Sequence, residues 1–260
     1  MTTDAGPVLV VGDPPLAEEL AALLREAGRP LTYCPVAPAR AGAELPEADA
    51  LARAAQGAAL ALETTVWPFE RKRALVAALD AALPPTAVLA SLCAAQSTSE
   101  IASWTTRPQQ VVGFSVVPPL SASQLVEVAP GLDTAEAAAA AVERLFAAAG
   151  RETARVRDDA GLVLARILCL IINEAAAMVM EGVASARDID TALRLGANYP
   201  RGPLEWADLI GIDFVYAVLY GLQLEQGEDR YRPCPLLRKM VLAGRLGRKV
   251  GRGFFTYAQA

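Results

Sequence analysis

Near the start of the chain, Val8 to Val11 form a short apolar run that breaks at Gly12-Asp13-Pro14-Pro15. Leu16 to Ala27 then carries apolar side chains at Leu16, Leu20, Leu23 and Leu24, the spacing of one helix face, and Gly28 stops that helix. Leu31 to Cys34 reads as a second strand. Two strands joined through a helix pair in parallel by a crossover, and a chain that opens this way predicts a doubly wound parallel sheet.

The same alternation continues to about residue 157. Pro35 to Ala48 reads as a Pro/Ala/Gly loop, followed by a short helix near Leu51. Strands are predicted at Leu60–Leu62, Val88–Ala90, Val111–Phe114 and Leu125–Val128, with helices at Phe69–Leu83 and Thr134–Ala149. From Gly161 onward the pattern is helical almost throughout: Leu162–Glu181, Ala186–Leu195, Pro203–Ile210, Asp213–Gln226 and Pro235–Ala243. The chain is therefore expected to divide into an α/β domain, 1–157, and an all-α domain, 158–260.

With 260 residues, 53% of them hydrophobic, the chain can bury a large core. The longest apolar stretch, Gly161 to Val183, is interrupted by Arg166, Asn173 and Glu174, so no membrane span is expected. The N-terminal segment lacks the basic start and apolar core of a signal peptide, which points to the cytoplasm. A net charge of -5 with both signs scattered argues against a nucleic-acid surface. Cys34, Cys93, Cys169 and Cys234 form no CxxC pair and read as buried, reduced thiols; with no histidine in the chain, no metal site is expected. The missing histidine has a second consequence. Imidazole is the commonest general base near neutral pH, and no mechanism resting on one can operate in this chain alone.

The helical half carries long, specific motifs. They are Ser185-Ala-Arg-Asp-Ile-Asp-Thr-Ala-Leu-Arg-Leu-Gly196, Tyr199-Pro-Arg-Gly-Pro-Leu-Glu-Trp-Ala-Asp-Leu-Ile-Gly-Ile-Asp213 and the stretch from Arg230 to Tyr257. Glu63, Lys72, Ser91, Glu100-Ile101-Ala102 and Leu125-Val126-Glu127-Val128 add weaker matches in the first half. On these residues the chain resembles the L-3-hydroxyacyl-CoA dehydrogenases, including the 3-hydroxybutyryl-CoA dehydrogenases, over nearly its whole length. The resemblance implies a Rossmann-type NAD domain followed by a helical domain through which such proteins dimerise.

It also implies an active site, most of which is missing. The family uses a histidine as base, a glutamate that holds it, and a serine and an asparagine that bind the reacting oxygen. The glutamate falls on Glu127, the histidine on Ser115, the serine on Ala94 and the asparagine on Ala165, so three of the four polar groups are replaced. Loss of the base alone costs on the order of 10²- to 10⁴-fold in rate.

The cofactor turn is altered in the same way. Where the family carries G-x-G-x-x-G, this chain has Gly12-Asp13-Pro14-Pro15-Leu16-Ala17, and each proline removes an N–H that a diphosphate would use. Asp13 is expected to cap the following helix, with Pro14 at its first position, and to repel a diphosphate. Cys34-Pro35 stands where an acid would bind ribose. NAD, implied by the family, is therefore expected to bind weakly or not at all. The segment from Pro35 to Leu60 is too short for the helical hairpin that binds CoA in the family. Glu63 and Lys72 persist as candidate ligand residues, or as ordinary surface or capping residues. Arg245, Arg248, Lys249 and Arg252 read as a solvated face, the alternative being attraction of phosphates.

The preferred reading is an inactive or impaired family member retained for binding or assembly, as a homodimer or a heterodimer with an active relative. An acyl-CoA-like compound is a possible ligand. The alternatives are an active NAD(P)-dependent oxidoreductase using Glu127 and Ser115, and a new small-molecule site lined by Trp67, Ser91, Ser115 and Glu127.

Overall fold

The computed structural model describes residues 6–36 and 45–258, which divide into two compact units, Met1–Leu162 and Val163–Ala260. Residues 37–44 of the expected Pro/Ala/Gly loop lie outside the described residues.

The first unit is built on a seven-stranded sheet. Its strands are β1 (Val8–Gly12), β2 (Leu31–Pro35), β3 (Leu60–Glu63), β4 (Val88–Leu92), β5 (Val111–Ser115), β6 (Leu125–Pro130) and β7 (Glu152–Arg155). They lie in the order β2-β1-β3-β4-β5-β6-β7, parallel except where β5 meets β6. Helices α1 (Leu16–Glu26), α2 (Ala48–Ala55), α3 (Phe69–Ala82), α4 (Thr98–Ala102) and α5 (Glu136–Ala148) connect them. β1 is buried along its whole length, as expected of a parallel strand covered on both faces. The chain leaves β1 for β2 on one side and returns to β3 on the other. Their carboxyl ends therefore diverge at the kind of switch point where doubly wound sheets bind ligands.

Two elements were not foreseen. β7 has no apolar alternation, because it is an edge strand with exposed Glu152 and Arg155 at its ends. α4 is opened by Ser97, whose hydroxyl accepts from the Glu100 N–H at 3.2 Å, and by Asp158, which accepts from the N–H groups of Thr98 and Ser99. Ser97-Thr98-Ser99-Glu100 is a capping-box pattern, a signal present in the sequence.

Asp80 on α3 ties the sheet to its connections. It accepts from the Thr106 N–H and hydroxyl at 2.8 Å and from Arg107 Nε at 2.7 Å. Burial raises its pKa, but the Thr106 and Arg107 bonds outweigh burial and hold the carboxyl below the ordinary carboxylate range. A depressed folded-state pKa gives stability that is present above the unfolded value and lost as pH falls. Asp80→Ala should destabilise this unit by about 3 kcal/mol at neutral pH. In denaturation at a series of pH values the gap to the unaltered protein should close below about pH 4. A gap that stays constant with pH would contradict the assignment.

The second unit contains α6 (Leu164–Glu181), α7 (Ala186–Gly196), α8 (Pro203–Ile210), α9 (Ile212–Gln226) and α10 (Pro235–Leu242). α6 opens at Leu164, two residues later than expected, because Leu162 adopts φ 45°, outside any right-handed helix. Among the described residues no single helix is long and apolar enough to cross a membrane.

Two buried carboxylates organise this unit. Asp190 on α7 accepts from the N–H groups of Leu204 and Glu205 at 2.8 and 2.9 Å and so caps α8 from outside. A Cβ on Gly202 would stand 2.1 Å from the Asp190 carboxyl carbon, which explains glycine there. Asp208 on α8 accepts from Phe254 N–H, Phe255 N–H and the Tyr257 hydroxyl at 2.8, 2.9 and 3.0 Å. Gly253 leaves room for that carboxylate, since its Cβ would lie 1.9 Å from an Asp208 oxygen. The Gly-rich C-terminal motif is thus a clasp folded onto Asp208. Asp208→Ala leaves three donors without their acceptor, at about 1–3 kcal/mol for each buried group orphaned. Hydrogen exchange at the Phe254 and Phe255 amides should accelerate at least ten-fold; unchanged protection there would refute the clasp.

Candidate functional site

At the carboxyl edge of the sheet the first residues of interest are Glu63 and Lys72. Both are fully buried. Lys72 Nζ donates to Glu63 Oε2 at 2.6 Å, to the Thr65 carbonyl at 2.8 Å and to the Leu92 carbonyl at 3.1 Å. Ser91 donates to the same glutamate oxygen at 2.6 Å, and Thr65 N–H donates to Oε1 at 2.6 Å. Neither residue is the surface or capping residue that the sequence left open, and neither presents its charge to a ligand. An ammonium has three donors, and here all three are occupied. Burial forces this arrangement, because an unpaired charge in the interior would be far more costly than the pairing.

The turn after β1 also departs from expectation. α1 begins at Leu16, with Pro15 in the capping position and no side-chain cap, so Asp13 is not its N-cap and Pro14 is not its first residue. The two prolines carry the turn two residues further, and the Asp13 carbonyl accepts the Ala17 N–H at 3.2 Å. The Asp13 carboxylate is turned instead to Arg71 on α3, 3.1 Å away. Gly12 has φ 149° and a Cβ there would lie 2.0 Å from Thr64 Oγ1, so the residue just past β3 presses directly on this glycine. A diphosphate needs convergent N–H donors with no carboxylate facing them. Two prolines and Asp13 do not fit that requirement. β2 ends in Cys34 and Pro35, with no acid for a ribose.

Ser115 and Glu127 stand opposite each other across the antiparallel β5–β6 pair, which places both side chains on one face of the sheet. They are 1% and 3% exposed. Ser115 Oγ has no hydrogen-bond partner among the described residues. Ala94 lies two residues past the end of β4, the strand beside β5, and is fully buried. Its neighbour Cys93 is buried too, and burial pushes that thiol up to about 12, far from a reactive thiolate. Cys169 and Cys234 are likewise buried, whereas Cys34 is only half-buried, a departure from the expectation of four buried thiols. Ala165 sits buried in the first turn of α6, in the second unit. The first unit thus puts Ser115 and Glu127 on paired strands and Ala94 just past the neighbouring strand, and neither alanine nor a serine hydroxyl is a base near neutral pH.

Nothing in the sequence pointed to Arg71, or to the buried Thr64, Thr65 and Gln96 beside this edge. Thr64 Oγ1, Thr65 Oγ1 and both amide atoms of Gln96 lack hydrogen-bond partners among the described residues. Single polar residues in loops give no periodic signal that would reveal this. In the C-terminal basic segment, Lys249 pairs with Asp213 and Arg248 with Glu205, so these two charges belong to ion pairs rather than a free face.

Comparison with known proteins places this geometry. Residues 16–159 match the 3-hydroxyacyl-CoA dehydrogenase NAD binding domain, and residues 161–257 match the C-terminal domain of the same family. The first match begins after the altered turn. A protein of Bacillus subtilis named probable 3-hydroxybutyryl-CoA dehydrogenase is 41% identical over 205 residues, which is 79% of this chain and 71% of the relative. The 3-hydroxybutyryl-CoA dehydrogenase of Bradyrhizobium diazoefficiens is 39% identical over 77% of this chain and 69% of its own length. Among solved structures, FadB2 of Mycobacterium tuberculosis superposes with TM-score 0.82 and 31% identity, covering 96% of this chain and 98% of that one.

The buried ion pair gives a direct test. Lys72→Ala should cost about 3–5 kcal/mol, because it leaves Glu63 charged and unpaired in the interior. Removing both charges, Lys72→Met with Glu63→Gln, should recover most of that loss in thermal denaturation. If the double variant were as unstable as the single one, the charge argument would fail.

Proposed function

The chain belongs to the 3-hydroxyacyl-CoA dehydrogenase family, and we propose that within it this protein is a binding or assembly subunit that does not carry out the redox step. One observation carries the reading: opposite Glu127, where the family resemblance places a proton acceptor, stands the buried hydroxyl of Ser115, without a hydrogen-bond partner among the described residues. A serine hydroxyl is not a base near neutral pH, and no histidine exists in the chain to replace it. The turn at Asp13-Pro14-Pro15 supports the same reading, because weak or absent NAD binding follows from its missing donors and its carboxylate.

On this proposal the protein acts in the cytoplasm through its helical unit, as a homodimer or paired with an active relative, and holds an acyl-CoA-like compound without turnover. Large apolar side chains left exposed there, Ile167 at 55%, Leu195 at 78% and Leu242 at 72%, support an association surface. A second reading, an active NAD(P)-dependent oxidoreductase on a 3-hydroxyacyl substrate, draws on the retained Glu127 and on the dehydrogenase names of the relatives.

Calorimetry with NADH tests the cofactor part. The unaltered protein should show no saturable binding in the micromolar range. Asp13→Ala, Pro14→Gly and Ala17→Gly together should raise affinity by about ten-fold or more, since hydrogen bonds to charged groups contribute about 1.5–3 kcal/mol each. Micromolar binding by the unaltered protein would overturn the reading. For assembly, sedimentation should give a dimer, and Ile167→Glu should shift it toward monomer; a monomeric unaltered protein, with no relative co-purifying, would contradict the proposal.

A further inference from the structure

A cavity of about 360 Å³ lies wholly within the helical unit, lined by α7 on one side and by the C-terminal clasp on the other. α7 contributes Arg187, Asp190, Thr191 and Arg194. These positions are spaced by three, one and three residues, so they form one helix face. Phe255 and Tyr257 supply an aromatic wall, and Glu205 and Arg248 complete the lining.

The charges in this cavity are unequally engaged. The Asp190 oxygens accept the N–H groups of Leu204 and Glu205. Glu205 Oε1 accepts from both Arg201 and Arg248, each at 3.0 Å. Arg248 also lies 4.9 Å over the Tyr257 ring, and the Tyr257 hydroxyl is anchored on Asp208 at 3.0 Å. Both lining carboxylates and the aromatic wall are therefore held by the protein itself. Arg187 and Arg194 have no ion pair or hydrogen bond among the described residues, and both are exposed at the cavity. The cavity therefore offers two unengaged guanidinium groups facing a fixed aromatic surface.

That combination selects a ligand class. A guanidinium binds phosphate in a bidentate fork, and two of them stand two turns apart on the α7 face that lines this cavity. The aromatic wall with Arg248 suits a planar ring by stacking and cation–π contact. A volume near the lower end of the usual ~300–1,000 Å³ for ligand sites suits a ligand of about one nucleotide. We propose that this cavity of the helical unit binds a nucleoside monophosphate, with its phosphate on Arg187 and Arg194 and its base against Phe255 and Tyr257. The site shares no residue with the carboxyl edge of the sheet, so it stands whether or not that edge binds NAD.

Calorimetric titration of the full chain with AMP tests it, with adenosine and inorganic phosphate as the two halves. AMP should bind saturably below millimolar concentration, and each half at least ten-fold more weakly. Arg187→Ala with Arg194→Ala should weaken AMP binding at least ten-fold without changing the melting temperature, because both side chains are exposed. Arg155→Ala, an exposed arginine of the other unit, should leave binding unchanged. No saturable AMP binding would overturn the proposal, as would phosphate alone binding as tightly as AMP. So would an equal loss in Arg155→Ala, or AMP binding that survives the double arginine substitution.

Discussion

Lys72 holds the carboxyl edge of the sheet together. Its ammonium, with no access to solvent, bridges the glutamate that ends β3, a carbonyl just beyond it and a carbonyl at the end of β4. The strands, α3 and the loops after them are thereby fixed in one charged but fully satisfied cluster. The polar groups closest to the switch point are thus committed to the fold. Along that edge, Ser115, Thr64, Thr65 and Gln96 keep buried polar atoms without hydrogen-bond partners among the described residues. The edge therefore combines a satisfied ionic interior with a buried serine hydroxyl opposite Glu127.

The helical unit follows the same logic with a different outcome. Asp190 and Asp208 are buried, and burial raises the pKa of both. Their oxygens are taken by backbone N–H groups and a tyrosine hydroxyl, which builds α8 and the C-terminal clasp. The motifs that carry the family resemblance are therefore mainly scaffold. Such motifs answer to packing and backbone satisfaction, whatever residues stand at the carboxyl edge of the sheet.

The sequence exposed the parallel sheet well because β1, β3 and β4 are short apolar runs, and the helices because α1 and α6 repeat apolar residues at helical spacing. β7 escaped notice because an edge strand of Glu, Thr, Ala and Arg has no buried face to pattern. The pairing of Ser115 with Glu127 was legible, since strand register carried the alignment of both residues. The true roles of Glu63, Lys72 and Asp13 were not. Burial and partner choice are three-dimensional facts: Lys72 meets Leu92 across 20 positions, and Asp13 meets Arg71 across 58. The cavity beside α7 was equally hidden, because its two walls are brought together only when Asp208 folds the C-terminal segment back.

The most direct measurement is turnover of a 3-hydroxybutyryl thioester of CoA with saturating NAD by the purified chain, followed at 340 nm after removal of any co-purifying relative. The account predicts a rate at least about 10²-fold below that of an active family member assayed alongside it. A rate comparable to that member's would contradict it, and would require a proton acceptor other than the hydroxyl at position 115.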